Sequence, residues 1–280
     1  MSNGFRIGLP AYGAAACLLL LPGSPRAQSS ACSDAFDGPQ LGAAWSFLDA
    51  DGKTGGAAVL ENGKLVLSGR GGDVFNQKNE FVAVRRTDLP GDFDVSVKIE
   101  SQSNTHAWAQ AGIIAANDIA DLSKGGYVAA DVTPSSAFHL FYDAAGTTGT
   151  LDAHADAGKS AYPVWIRLAR TGAKFSAWYK TSAAADWTVI AQNISTQGAA
   201  AGTASQVALF SLSHNDTAEA RTVFEDFTCA GGSTSLAAPE GSRVQGYPWG
   251  YRSPSFRGWG WVRGRRMHGA DGRALPAPRP

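Results

Sequence analysis

Two side chains on one predicted strand have the types and spacing that could bind a sugar. Trp108 and Gln110 fall on the same face of Ala107–Ala116, because alternate side chains of a strand point the same way. The opposite face carries small apolar side chains. A flat indole can pack on the apolar face of a sugar while an amide bonds its hydroxyls. We therefore expect Trp108 and Gln110 to face solvent and bind carbohydrate, with burial of Trp108 in the core as the alternative.

Three further side chains are expected to complete this surface. Tyr127 and Asp131 share one face of a predicted strand, and Arg167 lies on another predicted strand. Carboxylate and guanidinium groups supply the hydrogen bonds that fix sugar hydroxyls. We predict that Tyr127, Asp131 and Arg167 lie beside Trp108.

The indoles of Trp165 and Trp178 admit two interpretations. Trp165 shares a strand face with Arg167, which is a second combination of an indole and a polar group. Alternatively, Trp165 and Trp178 pack in the core or at a sheet edge, and Arg167 pairs with an acid.

Other kinds of site have little support in the sequence. The five histidines, at positions 106, 139, 154, 214 and 268, form no i, i+2 or i, i+4 pair of the kind that binds zinc. No Gly-x-Ser-x-Gly elbow and no phosphate-binding loop occurs. We therefore expect no metal and no cofactor, and the catalytic residues, if there are any, stay unknown.

These side chains must be positioned by strands, because period-two alternation dominates the middle of the chain. The segment Asp92–Glu100 alternates without exception. Val59–Leu67 contains two short runs around Asn62-Gly63, a dipeptide that suits a tight hairpin. Only Asn117–Leu122 could form a short helical turn. A dozen or more short strands without helices predict an all-β sandwich or barrel.

Charge divides the chain into three segments. Residues 1–31 carry a net charge of +2, residues 32–230 carry −8 and residues 231–280 carry +6, so the total is zero. The acidic middle segment argues against nucleic acid as its partner, since phosphate binding requires positive potential. We predict a leader at 1–31, a folded domain at 32–230 and a tail at 231–280.

The first segment has the features of a secretory signal peptide. Arg6 precedes the apolar run Ala11–Leu21, and small residues follow, with cleavage sites after Ala27 or Ala31. The run is shorter than the about 20 residues that span a bilayer. We expect a secreted or periplasmic protein. A buried helix and a lipoprotein anchored at Cys32 are the alternatives.

The cysteines suit an oxidising compartment. Cys17 lies in the leader, whereas Cys32 and Cys229 lie at the two ends of the middle segment. An even number of cysteines in a secreted chain favours a disulfide. We predict a Cys32–Cys229 bridge, with two free thiols or a lipidated Cys32 as alternatives.

The last segment has no periodicity. It is rich in Arg, Gly, Trp and Pro and contains no Lys. This composition predicts a disordered tail. The alternative is an arm that contacts anionic polymers or an envelope surface.

A set of short motifs in the middle segment resembles one group of β-sandwiches. The most specific is Trp-Ile-Arg-Leu-x-Arg-x-Gly, which lies within Pro163–Gly172. Supporting motifs, in matching order, are Phe36–Gly38, Gly91–Val97, Gln110–Ile113, Phe175–Tyr179, Trp187–Ile190 and Val223–Phe227. Over about residues 34–229 the chain resembles concanavalin A-like sandwiches, and most of all a laminin-G-like bacterial family often labelled by its yeast member, a regulator of enolase. The resemblance implies a two-sheet antiparallel jelly roll. The group has no agreed activity, so no catalytic residues carry over.

Three functions are compatible with this fold. The first is an extracytoplasmic carbohydrate-binding domain whose partner is a polysaccharide. The second is a polysaccharide hydrolase or lyase using carboxylates such as Asp131 or Asp143, although the Glu-x-Asp-x-x-Glu pattern of glucanases with this fold is absent. The third is a structural or protein-binding module, which we expect if the protein's own loops cover the sheet face.

Overall fold

The computed structural model describes Met1 and residues 32–50, 55–74, 78–89, 91–134, 137–144, 153–158, 162–195 and 206–231. The predicted leader, apart from Met1, and the tail from residue 232 lie outside the described residues, so these domain limits stay predictions. Within the described ranges the chain forms strands and turns and no α-helix. Accordingly, none of these residues belongs to a helix long and apolar enough to cross a membrane.

The first sheet contains seven antiparallel strands. They are β1 Ser46–Asp49, β4 Val82–Arg86, β6 Gln110–Ala116, β7 Tyr127–Val132, β8 Phe138–Asp143, β9 Ala153–Ala157 and β13 Gln206–Leu212. Their spatial order is β1-β4-β13-β6-β7-β8-β9. Neighbours in this sheet are therefore often far apart in the sequence.

The second sheet also contains seven antiparallel strands. They are β2 Ala57–Glu61, β3 Lys64–Gly69, β5 Phe93–Gln102, β10 Val164–Thr171, β11 Lys174–Lys180, β12 Thr188–Ser195 and β14 Ala220–Gly231. Their spatial order is β12-β11-β10-β5-β14-β3-β2. The predicted hairpin is β2–β3, where Asn62 and Gly63 adopt φ of 53° and 74°. Asn and Gly tolerate this left-handed region, which the tight turn requires.

The main core lies between the two sheets. Alternate side chains of β5, from Phe93 to Ile99, are buried, whereas their neighbours on the strand are half-buried. They belong to one apolar cluster with Val84 and Leu209 of the first sheet. Two stacked antiparallel sheets with this interdigitated core form a jelly-roll sandwich of the concanavalin A-like type. The structure thus confirms the predicted fold class.

A second apolar cluster covers much of the outer face of the first sheet. Ile114, Tyr127 and Phe141 on this face are buried beneath connecting segments that contribute Val74 and Ile119, among others. Ile119 lies in the segment predicted as a helical turn, which instead forms hydrogen-bonded turns. The central strands of the first sheet are therefore buried on both faces, and every described side chain of β7 is buried, whereas the edge strands β1 and β9 keep exposed side chains.

The predicted disulfide joins the ends of the domain. Cys32 and Cys229 are bonded, with their Cα atoms 5.5 Å apart. Asp34 pairs with Phe227 in an isolated antiparallel bridge, so the opening segment runs beside the last strand. The bridge confirms the prediction and excludes the alternative of two free thiols.

Candidate functional site

Strand register places one polar row on the outer face of the first sheet. Gly112 of β6 lies opposite Asp131 of β7, Asp131 opposite His139 of β8, and His139 opposite Asp156 of β9. All four residues lie on the face away from the main core, since their strand neighbours point into it. The row brings together two carboxylates and one imidazole from three strands.

The imidazole of His139 lies between the two carboxylates. Its Nδ1 donates to Asp131 Oδ1 at 2.7 Å, and the two side chains are only 2% and 0% exposed. Its Nε2 lies 3.7 Å from Oδ1 of Asp156, which is 56% exposed. Burial lowers the pKa of His139, but the hydrogen bond to Asp131 and the charges of both carboxylates outweigh it. The pKa of His139 therefore lies above its ordinary 6.5.

An exposed indole lies over this imidazole. Trp108 belongs to the turn that precedes β6, and its ring centroid is 5.7 Å from that of His139 at an interplanar angle of 31°. Its backbone N–H donates to Nδ1 of His106 at 3.1 Å, which fixes the turn. Trp108 is nevertheless 44% exposed. The structure therefore supports the outward placement of Trp108 and contradicts its burial in the core.

Gln110 adds an unsatisfied acceptor beside this indole. It is the first residue of β6, two positions after Trp108. Its Oε1 atom is buried and has no hydrogen-bond partner among the described residues. An unpaired buried acceptor costs about 1–3 kcal/mol. Because this atom is buried, a ligand at the surface does not reach it.

A second ring pair anchors the turn that carries Trp108. The rings of His106 and His214 lie 4.5 Å apart, and Thr105 Oγ1 donates to the Ser213 carbonyl at 2.6 Å. Burial is the main reason why the pKa of His214 is lowered. The described residues hold no group of three or more His, Cys, Asp or Glu side chains placed to bind a metal ion.

Tyr127 lies away from this group. Its hydroxyl donates to the Val74 carbonyl at 2.6 Å beneath the covering segments, and its side chain is buried. The cause is the second apolar cluster, which shields this end of the face from solvent. The expectation that Tyr127 lies beside Trp108 on an open surface is therefore wrong.

Arg167 lies on the other side of the sandwich. It belongs to β10 of the second sheet, where its Nε and Nη2 donate to the carboxylate of Asp94 at 2.7 and 2.5 Å. The expected proximity of Arg167 to Trp108 is wrong, because β10 pairs with β5 and β11 rather than with β6. The alternative, in which Arg167 pairs with an acid, is correct. Trp165 and Trp178 lie half-buried on the outer face of this sheet and not in the core.

Sequence reasoning did not assign His139, Asp156 or His106. His139 and Asp131 are eight residues apart, and no local motif joins them; only the pairing of β7 with β8 does. Asp156 lies on β9, a short edge strand that the sequence pattern did not predict. The signal available in the sequence was the alternation of polar His139 with the apolar residues Phe138 and Leu140, which places His139 on the face away from the main core.

Comparison with known proteins shows the fold alone. No family model and no curated protein matches the chain. Among solved structures, the GH43 BlXynB protein from Bacillus licheniformis is 15% identical, with a TM-score of 0.54 over 73% of this chain and 40% of that one. A xylan beta-1,4-xylosidase from Bacillus halodurans C-125 is 18% identical, with a TM-score of 0.52 over 75% and 40%. The chain thus spans about two fifths of the length of these proteins.

Proposed function

We propose that this protein is an extracytoplasmic carbohydrate-binding domain whose ligand packs on Trp108. The observation that carries the proposal is an indole held in place over His139 yet 44% exposed. A large apolar ring kept rigid at the surface is suited to a ligand with a flat apolar face. We call the group of Trp108, Gln110, Asp131, His139 and Asp156 the Trp108 site.

The polar groups of the Trp108 site suit sugar hydroxyls. Asp156 presents an exposed carboxylate that can accept hydrogen bonds from sugar hydroxyls. Asp131 and Gln110 Oε1 are too buried to meet the ligand, and Asp131 orients His139 through the 2.7 Å hydrogen bond. In this arrangement the ligand stacks on the Trp108 ring and donates a hydrogen bond to Asp156.

The structural neighbours and the disulfide support the proposal. Two neighbours carry names of glycoside hydrolases, so this fold accompanies carbohydrate chemistry in those proteins. A disulfide is typical of secreted or periplasmic proteins, in agreement with a leader at residues 1–31. A place in the laminin-G-like family named above rests on the motifs of Pro163–Gly172 and is part of the same proposal. The basic segment 232–280 is proposed as a separate tail, one residue shorter than predicted because Gly231 ends β14.

The geometry favours binding over hydrolysis. Asp131 and Asp143 lie four register positions apart, which is about 13 Å at about 3.3 Å per residue and exceeds the spacing of glycosidase carboxylates. Asp131 and Asp156 are closer, but the imidazole of His139 occupies the space between them. A hydrolytic water needs that space. We therefore place a hydrolase or lyase second.

A glycan-array screen of the full chain, followed by titration of the best ligand, tests the proposal. Trp108→Ala should weaken binding by about 30-fold, the loss of about 2 kcal/mol expected for a central aromatic contact. Phe47→Ala is the matched control, since Phe47 on β1 is similarly exposed at 41% and should not matter. Equal affinity of Trp108→Ala and the unmodified protein would refute this site. Release of reducing sugar from a bound polysaccharide would favour the enzyme instead.

A further inference from the structure

The outer face of the second sheet carries three tryptophans. Trp165 of β10 and Trp178 of β11 project from the side opposite the main core, and Trp187 precedes β12 at the same side. All three indoles are half-buried. This surface is on the opposite side of the sandwich from the Trp108 site, so its role is independent of that site.

Three cations lie over these indoles, and two of them, Lys180 and Arg167, each contact two rings. Lys180 Nζ is 5.6 Å from the Trp165 ring and 5.0 Å from the Trp187 ring. The Arg167 guanidinium is 4.6 Å from the Trp178 ring and 5.9 Å from the Trp187 ring. We call the surface formed by the three tryptophans, Lys180 and Arg167 the tryptophan face. Its positive charges are held at fixed positions between aromatic rings.

Only one of the cations near these indoles lacks an acidic partner among the described residues. Arg167 pairs with Asp94, and Lys98, which also lies near Trp165, pairs with Glu225 at 2.8 Å. Lys180 donates to the Ala183 carbonyl at 3.0 Å, and no carboxylate of the described residues lies within 4.0 Å of its Nζ. The positive charge of Lys180 is therefore available to an incoming anion.

Short side chains lie beside Arg167 on this face. Ser96 of β5 lies opposite Arg167 in the register, and its hydroxyl is hydrogen-bonded to that of Thr228 of β14 at 2.7 Å. Ala169 of β10 is also short. Side chains this small project little from the sheet, so they leave room for a ligand beside the indoles.

We propose that the tryptophan face binds a linear polysaccharide that carries carboxylates. Sugar rings pack on Trp165 and Trp187, and a carboxylate of the same chain pairs with Lys180. Because Lys180 contacts both rings, the two indoles are at most about 11 Å apart, so one short stretch of a polysaccharide can reach both. A carboxylate of that stretch would neutralise the positive charge of Lys180.

Titration of the full chain with polygalacturonate tests this proposal. Lys180→Met keeps the aliphatic stem of the side chain and removes its charge. The substitution should therefore lower the affinity for polygalacturonate at least tenfold and make that affinity less sensitive to salt. Lys180→Arg should retain binding. Lys124→Met is the matched control, because Lys124 is an exposed lysine in the turn before β7 and its loss should change nothing. Trp187→Ala should also lower the affinity for polygalacturonate at least tenfold. Thermal unfolding of each variant checks that it is folded.

Three results of the titrations would by themselves overturn the proposal. They are the absence of binding to polygalacturonate, unchanged affinity in Lys180→Met, and equal affinity for a neutral galactan. Lys180-dependent binding of dextran sulfate without binding of polygalacturonate would refute the assignment to carboxylates. Phe47→Ala, on the first sheet and outside both proposed sites, should leave the affinity for polygalacturonate unchanged. If Trp108→Ala alone abolishes it, the ligand belongs to the Trp108 site and the tryptophan face is refuted.

Discussion

Replacing Asp131 by Asn should destabilise the protein far more than replacing Asp156. Asp131 and His139 are buried and joined at 2.7 Å, so the substitution removes the carboxylate that accepts the imidazole hydrogen bond and whose charge raises the pKa of His139. Breaking a buried pair costs about 3–5 kcal/mol. We expect about 3 kcal/mol, because Asn keeps one hydrogen-bond acceptor and His139 can release its proton. Asp156→Asn should cost less than about 1 kcal/mol, since Asp156 is 56% exposed and its charge is screened by water.

The pair also predicts how stability depends on pH. Because the pKa of His139 is raised in the folded protein, protonation of His139 favours the folded state. The stabilisation should be fully present below pH of about 6.5, the unfolded value, and should be lost as the pH rises through the folded pKa. In the Asp131→Asn variant, this decrease of stability with rising pH should be largely absent. Other groups, including His214, contribute equally to both proteins, so the difference between the two curves isolates His139.

Urea unfolding from pH 5 to 9 of the unmodified protein, Asp131→Asn and Asp156→Asn measures these quantities. A double-mutant cycle with His139→Gln should give a coupling energy of at least about 1 kcal/mol between Asp131 and His139. The imidazole proton resonances of His139 report its pKa directly. The reasoning fails if Asp131→Asn costs no more than Asp156→Asn, or if His139 titrates at or below 6.5.

Three further predictions concern stability. Reduction of the Cys32–Cys229 bridge, which closes a loop with a sequence separation of 197, should cost up to about 5 kcal/mol in urea unfolding, and an unchanged midpoint with reductant would contradict this. Gly112→Ala should lower the free energy of unfolding by about 3 kcal/mol or more, because the added Cβ would lie 2.1 Å from the Ala130 carbonyl oxygen. The control is Gly42→Ala, whose added Cβ would have its nearest contact at 3.3 Å. This control should unfold at nearly the same urea concentration as the unmodified protein. Tyr127→Phe should lose about 1 kcal/mol with its buried hydrogen bond to Val74, measured by thermal unfolding, and a neutral effect would show that this bond adds nothing.

The second sheet was predictable from the sequence because one of its faces is partly exposed to water. Strand β10 has the predicted bounds, Val164–Thr171, and β5 begins one residue later and ends two residues later than predicted. Alternation of apolar and polar residues records which face is buried. The central strands of the first sheet show no such alternation. All described side chains of β7 are buried on both faces, so the pattern could not show that Tyr127 lies beneath covering segments.

The strand β6 shows a related limit. It begins at Gln110, three residues later than predicted, because Ala109 N–H bonds the His106 carbonyl at 3.0 Å and closes a turn. Trp108 therefore reaches solvent from a turn and not from a strand face. The short edge strand β9 offered too few residues for a recognisable period, and Asp156 was missed with it.

The sequence by itself determined the all-β class, the β2–β3 hairpin and the cysteine pair, because these depend on local alternation, turn residues and the cysteine count. Only the tertiary structure decided which polar side chains meet. Arg167 and Asp131 both alternate outward from the main core on their strands, yet β10 and β7 belong to different sheets and the two residues lie on opposite sides of the sandwich. Asp131, His139 and Asp156 form one row because β7, β8 and β9 pair in register. Strand order and register follow from packing the whole core, since a strand can satisfy its own alternation beside many partners.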